Sequence, residues 1–361
     1  MSKILIAPDS FKGSATSLEV AQALAIGWQL QRPSDEILEL PFADGGEGTL
    51  DAIYRAIPNA TQVPIRVRGA SGVEHATNWL LINGDTAIIE LARACGMATI
   101  KELDPLGAHS FGLGQVIMAA LDDLRVNEIL VAVGGSASTD AGLGALSALG
   151  YKAFDGDGKK LLLGGGSLSS LARIEAPSYL RKPSRGIKVL VDVQSPLTGI
   201  HGAAYMFAPQ KGANVDQVKK LENGLQHFLE ILDAKDQPGF GAAGGVPSGL
   251  ALLLGACIIS GVEKISELIG VEKMIRDSDC VITGEGSFDS QSFFGKAVGY
   301  LIKLSHQLNR EIFIACGVNR NEPSPKVLSL VELATSTESA MLESEHWLVE
   351  CGKVLASRFH D

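Results

Sequence analysis

The residues of this chain best suited to chemistry are carboxylates and lysines set among glycines at the ends of short apolar runs. In the stretch Asp277–Lys296, DSDCVITGEGSFDSQSFFGK, an apolar run delivers Glu285, Asp289 and Lys296 into a glycine-bearing segment. Oxygen-rich acids suit a hard divalent cation, closely approachable backbone amides suit an anion, and an ammonium neutralises phosphate or carboxylate. The pattern therefore reads as a metal and phosphate site at the carboxyl end of a strand. Other stretches repeat it. PDSFKGSATS carries Asp9, Ser10 and Lys12, FADGGEGT carries Asp44 and Glu47, and GGSASTDAGLG carries Gly134, Gly135 and Ser136 as a phosphate cradle with Asp140 nearby. A third cluster of acid, lysine and glycine joins Asp192 in DVQSPLTG, Lys211 in PQKGA and the glycines of GFGAAGG. Arg66 and Arg68 stand on a strand from which a carboxylate is within reach, although strand-surface arginines usually do nothing catalytic.

Such loops need strands and helices to hold them. Ile4–Ala7 reads as a strand, followed by a loop with Ser14, Thr16 or Ser17 as N-cap and a helix over Leu18–Leu30. Ile37–Pro41 repeats the unit, with a helix from Leu50. Two such loops would lie side by side at the carboxyl edge of a parallel sheet, where open α/β folds bind ligands. From Val63 to Leu91 the pattern alternates and contains Asn83-Gly84, a hairpin signal, so antiparallel strands and a second domain are expected there. His75 and Trp79 in this region read as structural. Ile129–Val133, Val189–Val193, Ile312–Cys316 and Leu330–Leu333 read as further strands. Cys280–Ile282 is read as buried strand, Thr283–Gly286 as a sharp turn, Ser287 or Ser290 as the start of a helix reaching Lys296, and about Thr337–Arg358 as the last helix.

Bulk properties narrow the class. With 361 residues, 46% hydrophobic and 20% charged, two α/β domains are the natural division, and the 41 glycines cluster where βα loops need them. A net charge of −10 without a basic face argues against nucleic acid. Cys95, Cys257, Cys280, Cys316 and Cys351 are widely spaced and read as reduced and buried. Gly239–Val262 carries no charge, but its glycine- and proline-rich first half is unsuited to a spanning helix, so no membrane is expected as a partner. The start MSKILIAPDS lacks the features of a signal peptide, and a cytoplasmic location is expected. No GxxxxGK[ST], no strand-linked GxGxxG and no HExxH is present, which removes the P-loop and the zinc proteases and disfavours dinucleotide enzymes.

Taken jointly, APDSFKGS, ADGGEGT, GGSASTDAG, DVQSPLTG, PQKGA, GAAGG and ITGEGSFDSQSFFGK resemble, in order and spacing, the bacterial glycerate kinase family. The resemblance runs essentially from end to end. It implies an ATP- and Mg2+-dependent kinase that phosphorylates D-glycerate, usually to 2-phosphoglycerate. It also implies a flavodoxin-like doubly wound parallel sheet domain from both ends of the chain, 1–64 with 265–361, and an inserted mixed α/β domain, 65–264, with the active site in the cleft between them. A small hydroxy acid and ATP are the implied partners, and self-association into a homo-oligomer stays open.

On that reading Asp192 or Asp44 accepts the substrate hydroxyl proton, and Lys12 serves the reacting groups. Asp9, Ser10, Lys211, Lys296 and Arg66 contact substrate, and Gly134, Gly135, Ser136, Gly284 and Gly286 approach the triphosphate. Glu285, Asp289, Asp140 and Glu47 hold the cation. Three departures stand beside these matches. Thr139 replaces the asparagine of GGSATNDGG, Ser195 that of DVxNPLxG, and Gln115 the acid of GTGE, so a kinase for another small hydroxy or sugar acid is the rival reading. A non-catalytic sensor of a glycerate-like ligand is a second rival. A phosphatase or another metal hydrolase is a distant third.

Overall fold

The computed structural model describes residues 1–43, 45–293 and 296–360. The chain divides into two compact units: Met1–Asp44, Asp51–Ala56 and Val262–Asp361 form one, and Gly45–Leu50 with Ile57–Gly261 form the other. In chain order the strands are β1 (Lys3–Ile6), β2 (Glu36–Glu39), β3 (Thr61–Arg68), β4 (Glu74–Ile82), β5 (Thr86–Glu90), β6 (Glu128–Ala132), β7 (Lys152–Phe154), β8 (Arg173–Glu175), β9 (Ile187–Leu190), β10 (Cys257–Ile259), β11 (Cys280–Phe288), β12 (Glu311–Asn319) and β13 (Val327–Ser329). The domain boundary expected at 64/65 falls inside β3, which lies wholly in the second unit, so the chain changes units earlier, after Ala56.

The first unit is built on a parallel sheet in the order β13-β12-β11-β1-β2. Counted by appearance within the unit this is 2-1-3-4-5, the flavodoxin arrangement, whose strand order reverses between β1 and β11. The helix Ser17–Gln31 starts at Thr16, which exchanges capping hydrogen bonds with Glu19. It packs on the C-terminal helix Ser344–Arg358 through glycines, since a Cβ on Gly27 would stand 2.0 Å from the Val349 carbonyl oxygen. Ile4, Ile6, Trp28 and Leu348 fill the core beneath it.

The second unit carries a mixed sheet in the order β10-β9-β6-β5-β4-β3. β3, β4 and β5 are antiparallel neighbours, while β5, β6, β9 and β10 run parallel. The hairpin between β4 and β5 turns at Asn83 and Gly84, both at positive φ, as the Asn-Gly signal requires. β5 and β6 are buried along their whole length, as central parallel strands with both faces covered must be. His75 binds the Arg93 carbonyl and Trp79 is in the core, the structural roles expected of them.

Several elements differ from the sequence reading. Thr283–Gly286 does not turn: β11 continues through it to Phe288, paired with β12. The glycines serve close strand approach, because a Cβ on Gly284 would lie 2.2 Å from the Ala315 oxygen and one on Gly317 would lie 2.4 Å from the Gly286 oxygen. Leu330–Ala334 is helix, with the strand just before it at β13. The final helix is two, Thr337–Leu342 and Ser344–Arg358, broken at Glu343. The uncharged stretch after Gly239 holds the helix Val246–Leu254, ended by Gly255 at positive φ, and then the short strand β10. All five cysteines are free, but Cys257 is exposed on that strand rather than buried. Among the described residues, no helix is long and apolar enough to cross a membrane.

Candidate active site

In the first unit the nominated residues gather where the strand order reverses. Backbone amides of Ala7 and Asp9 donate to the carbonyls of Ile282 and Gly284 at 2.7 and 2.8 Å, so the loop after β1 runs along β11. Asp9 Oδ1 accepts from the Ser10 amide at 2.6 Å, and Lys12 is exposed. Gly286 packs on this loop, since a Cβ there would stand 3.6 Å from the Lys12 backbone nitrogen and from Phe11 Cα, an ordinary contact. Of the two β11 glycines, Gly286 is packed at ordinary contact distance against the Phe11–Lys12 backbone, and Gly284 is committed to β12. Glu285 is buried with Oε2 3.7 Å from Lys296 Nζ. Asp289 accepts from the Gln291 amide and receives no helix of the expected length; a short 3₁₀ turn, Ser290–Phe293, follows it. Lys296 occupies the position before the helix Ala297–Gln307 and makes no side-chain capping bond.

In the second unit the carboxyl ends of the parallel strands meet the segment 45–50. Glu90, ending β5, accepts from the amides of Gly48 and Leu50 at 3.2 and 2.9 Å. The Gly134 amide donates to the Gly45 oxygen, and a Cβ on Gly134 would stand 2.5 Å from Gly46 Cα. Gly134 is therefore glycine so that two loops can touch. A Cβ on Gly135 would lie 3.5 Å from Glu47 Cγ, which puts the exposed Glu47 beside that turn. Glu47, expected alongside Asp9 on the first sheet, thus belongs to the second unit. Asp44 lies outside the described residues.

The turn after β6 presents its donors unused. Gly135 has φ +74, its carbonyl accepts from Met97, and Ala137 donates to the Cys95 carbonyl. Among the described residues the amides of Gly135 and Ser136 and the hydroxyl proton of Ser136 meet no acceptor. Successive amides around a left-handed glycine form a concavity suited to an anion. Beneath it Lys211, 3% exposed, donates to Ser136 Oγ at 2.9 Å and to the Ser138 carbonyl at 2.5 Å. Burial pulls its ammonium down to about 8, opposed by the charge of Asp140.

Asp140 is 1% exposed, and its two oxygens accept from the Ser110 amide and hydroxyl, the Ser138 hydroxyl and the amides of Gly142 and Gly144. Those five donors occupy the carboxylate as a staple of the loop, the opposite of an open cation ligand. His109, also buried, is held below its ordinary value by burial, against the pull of Asp140. Asp192 lies two residues beyond β9, half-buried, with Oδ1 accepting from Ser260 Oγ at 2.8 Å and the Gly261 amide at 3.0 Å. GFGAAGG touches both other parts of the expected third cluster: a Cβ on Gly239 would stand 3.3 Å from Val191 Cγ1 and 3.6 Å from the Val193 oxygen, on either side of Asp192, and one on Gly244 would stand 2.0 Å from the Ser138 carbonyl oxygen that Lys211 binds. Arg66 is exposed on β3, paired with Ala76, and Arg68 stacks on Phe111.

The substituted positions are informative. Gln115 accepts from the Arg68 amide through Oε1, as a carboxylate also could, and Ser195 offers its backbone carbonyl to Gly239 and Gly241. Thr139 is buried in the loop. Sequence reasoning missed Glu90, Ser110, Ser138 and Ser260, and also Asp236 and Glu222, which bind the amides of Leu197, Thr198 and Gly199 after Asp192. Lone acids and serines on ordinary elements carry no local signal of such roles.

The profile of the glycerate kinase family matches residues 4–360. The chain belongs to the glycerate kinase family. It is 40% identical to the glycerate 2-kinase of Escherichia coli K12 over 304 residues, 81% of this chain and 79% of that one. It is 37% identical to the glycerate kinase of Haemophilus influenzae Rd over 331 residues, 89% and 87% of the two chains. A Salmonella typhimurium LT2 crystal structure described as a candidate glycerate kinase 2 superposes with a TM-score of 0.78 at 32% identity, covering 99% of this chain and 98% of that one. As a member of this family of kinases the chain is a phosphotransferase with an alcohol group as acceptor.

Proposed function

We propose that this family member transfers the terminal phosphoryl group of ATP to D-glycerate with Mg2+ bound, giving 2-phosphoglycerate. The observation that carries the reading is the turn Gly135–Ser136, with three donors unused and Glu47 alongside, at the carboxyl edge of β5, β6 and β9. Donors for an anion next to an acid for a cation are what phosphoryl transfer needs, because it depends on positioning and charge neutralisation more than on covalent chemistry.

Mg2+ takes one or two carboxylates and completes its shell with phosphate oxygens and water. Among the described residues no three His, Cys, Asp or Glu side chains converge, which fits that sparse demand. Glu47 is the oxygen donor beside the turn that would hold it, Glu285 and Asp289 are the candidate donors of the first unit taken by itself, and Asp140 would not serve. When bound, the ion neutralises phosphate charge. Asp192 is the base that takes the hydroxyl proton, its orientation fixed by Ser260 and Gly261. Asp9 and Ser10 contact the substrate. Lys12 and Lys296 meet its carboxylate or the phosphates, and Gly286 admits the nucleotide close to the backbone. The partners are a small hydroxy acid and ATP, in the cytoplasm.

The test is to incubate the protein with ATP, Mg2+ and D-glycerate and locate the new phosphoryl group by 31P NMR, beside a panel of other hydroxy and sugar acids. Preference for D-glycerate with phosphorylation at the 2-hydroxyl is expected. Turnover confined to another acid would refute the acceptor, and a ligand-induced thermal shift without ATP consumption would point to a sensor.

A further inference from the structure

We propose that Lys211 is a positioning residue that never touches ligand, and that its buried ammonium fixes the Ser136 hydroxyl as the third donor of an anion cradle with the amides of Gly135 and Ser136. This rests on the functional reading above and changes the part Lys211 plays in it. A lysine ammonium has donors and no acceptor, so in the 2.9 Å contact Ser136 Oγ must accept. The serine proton is then left to point elsewhere, and no described residue receives it. The second donation, to the Ser138 carbonyl, anchors the ammonium under the turn.

The chain route keeps it there. Lys211 ends the short 3₁₀ turn Pro209–Lys211, and Gly212 at φ +90 reverses the backbone just beyond it. With 3% of its surface exposed, Lys211 reaches ligand only by leaving its site. The back of the turn is held by Met97 and Cys95 on the side of the Gly135 carbonyl, which leaves the amides for the other side. The ammonium polarises the Ser136 hydroxyl to which it donates, which strengthens that hydroxyl as a donor. The cradle takes an anionic oxygen group, supplied either by a nucleotide phosphate or by the carboxylate of the hydroxy acid.

The experiment titrates the wild type, Lys211→Met, Ser136→Ala and the double variant by calorimetry, separately with ADP and with D-glycerate, in metal-free buffer. One of the two ligands, the one seated in the cradle, is expected to bind roughly tenfold or more weaker in each single variant. The double variant is expected to be no weaker than Lys211→Met alone, since one residue acts through the other. Ser136→Ala removes only the hydroxyl, so it decides the matter if Lys211→Met does not fold. Wild-type affinity of Ser136→Ala for both ligands, additive losses in the double variant, or a wild type that binds neither ligand would overturn the proposal. Turnover of D-glycerate by the wild type is scored apart: its absence counts against the functional reading, and the titrations still decide the cradle.

Discussion

Replacing Lys211 by methionine tests the burial of its charge through stability, independently of activity. The ammonium titrates at about 8 in the folded chain against an ordinary value of 10.5. The folded state therefore holds fewer protons than the unfolded chain between those values. By linkage the charged lysine costs its full penalty below pH 8, and the penalty fades as pH rises to 10.5. The fall from 10.5 to about 8 corresponds to roughly 3 kcal/mol. Methionine is unbranched, similar in length and uncharged, so it removes the titration while filling the space. Urea unfolding of both proteins at pH 7 and pH 10 is the assay, because the other titrating groups cancel in the difference. The wild type is expected to gain about 2 to 3 kcal/mol on the variant between the two pH values. Parallel pH profiles would refute the argument, since they would mean that the ammonium is solvated in the folded state.

Asp192→Asn keeps shape and loses the proton acceptor, so kcat is expected to fall about 100-fold or more while calorimetric ADP affinity stays unchanged; near-normal turnover would remove Asp192 as the base. Glu47→Gln removes the acid beside Gly135, so ADP binding measured without Mg2+ is expected to tighten and binding with Mg2+ to weaken. The same direction in both conditions would show that Glu47 meets no cation. Gly284→Ala places a methyl group 2.2 Å from the Ala315 oxygen and is expected to destabilise the first unit by about 1 to 3 kcal/mol in thermal unfolding, whereas Gly286→Ala, whose methyl group meets its nearest neighbours at an ordinary 3.6 Å, leaves stability near wild type and acts on nucleotide affinity.

Much of the fold was legible. β1 and its capped helix, the Asn83-Gly84 hairpin and the buried run of β6 follow from period and turn chemistry that act over a few residues. Glycines misled where one residue type answers two demands. Gly284 and Gly286 look alike in sequence, yet a Cβ on one would clash with the β12 backbone and a Cβ on the other would meet the Phe11–Lys12 backbone at ordinary contact distance, a difference set by segments far along the chain. The break at Glu343 and the helix at Leu330–Ala334, which buries Leu330 and Ala334, likewise carry no local signal in the sequence.

The candidate site divides in the same way. Residue types at strand ends, and their order along the chain, determined the family and the inventory of acids, lysines and glycines, because those depend on local pattern alone. Only the tertiary structure decided what each member is free to do. Asp140 and Asp192 are equivalent aspartates after strands in the sequence, but Asp140 is 1% exposed with five donors closed around it, whereas Asp192 is half-buried, with Ser260 and Gly261 among its donors. Lys12 and Lys211 are equivalent loop lysines, but Lys12 is exposed and Lys211 is buried under a turn formed 75 residues earlier. The physical reason is that a carboxylate or ammonium is available for chemistry only to the extent that the protein leaves its hydrogen bonds and its solvent shell unfilled, and those are supplied by residues distant in sequence.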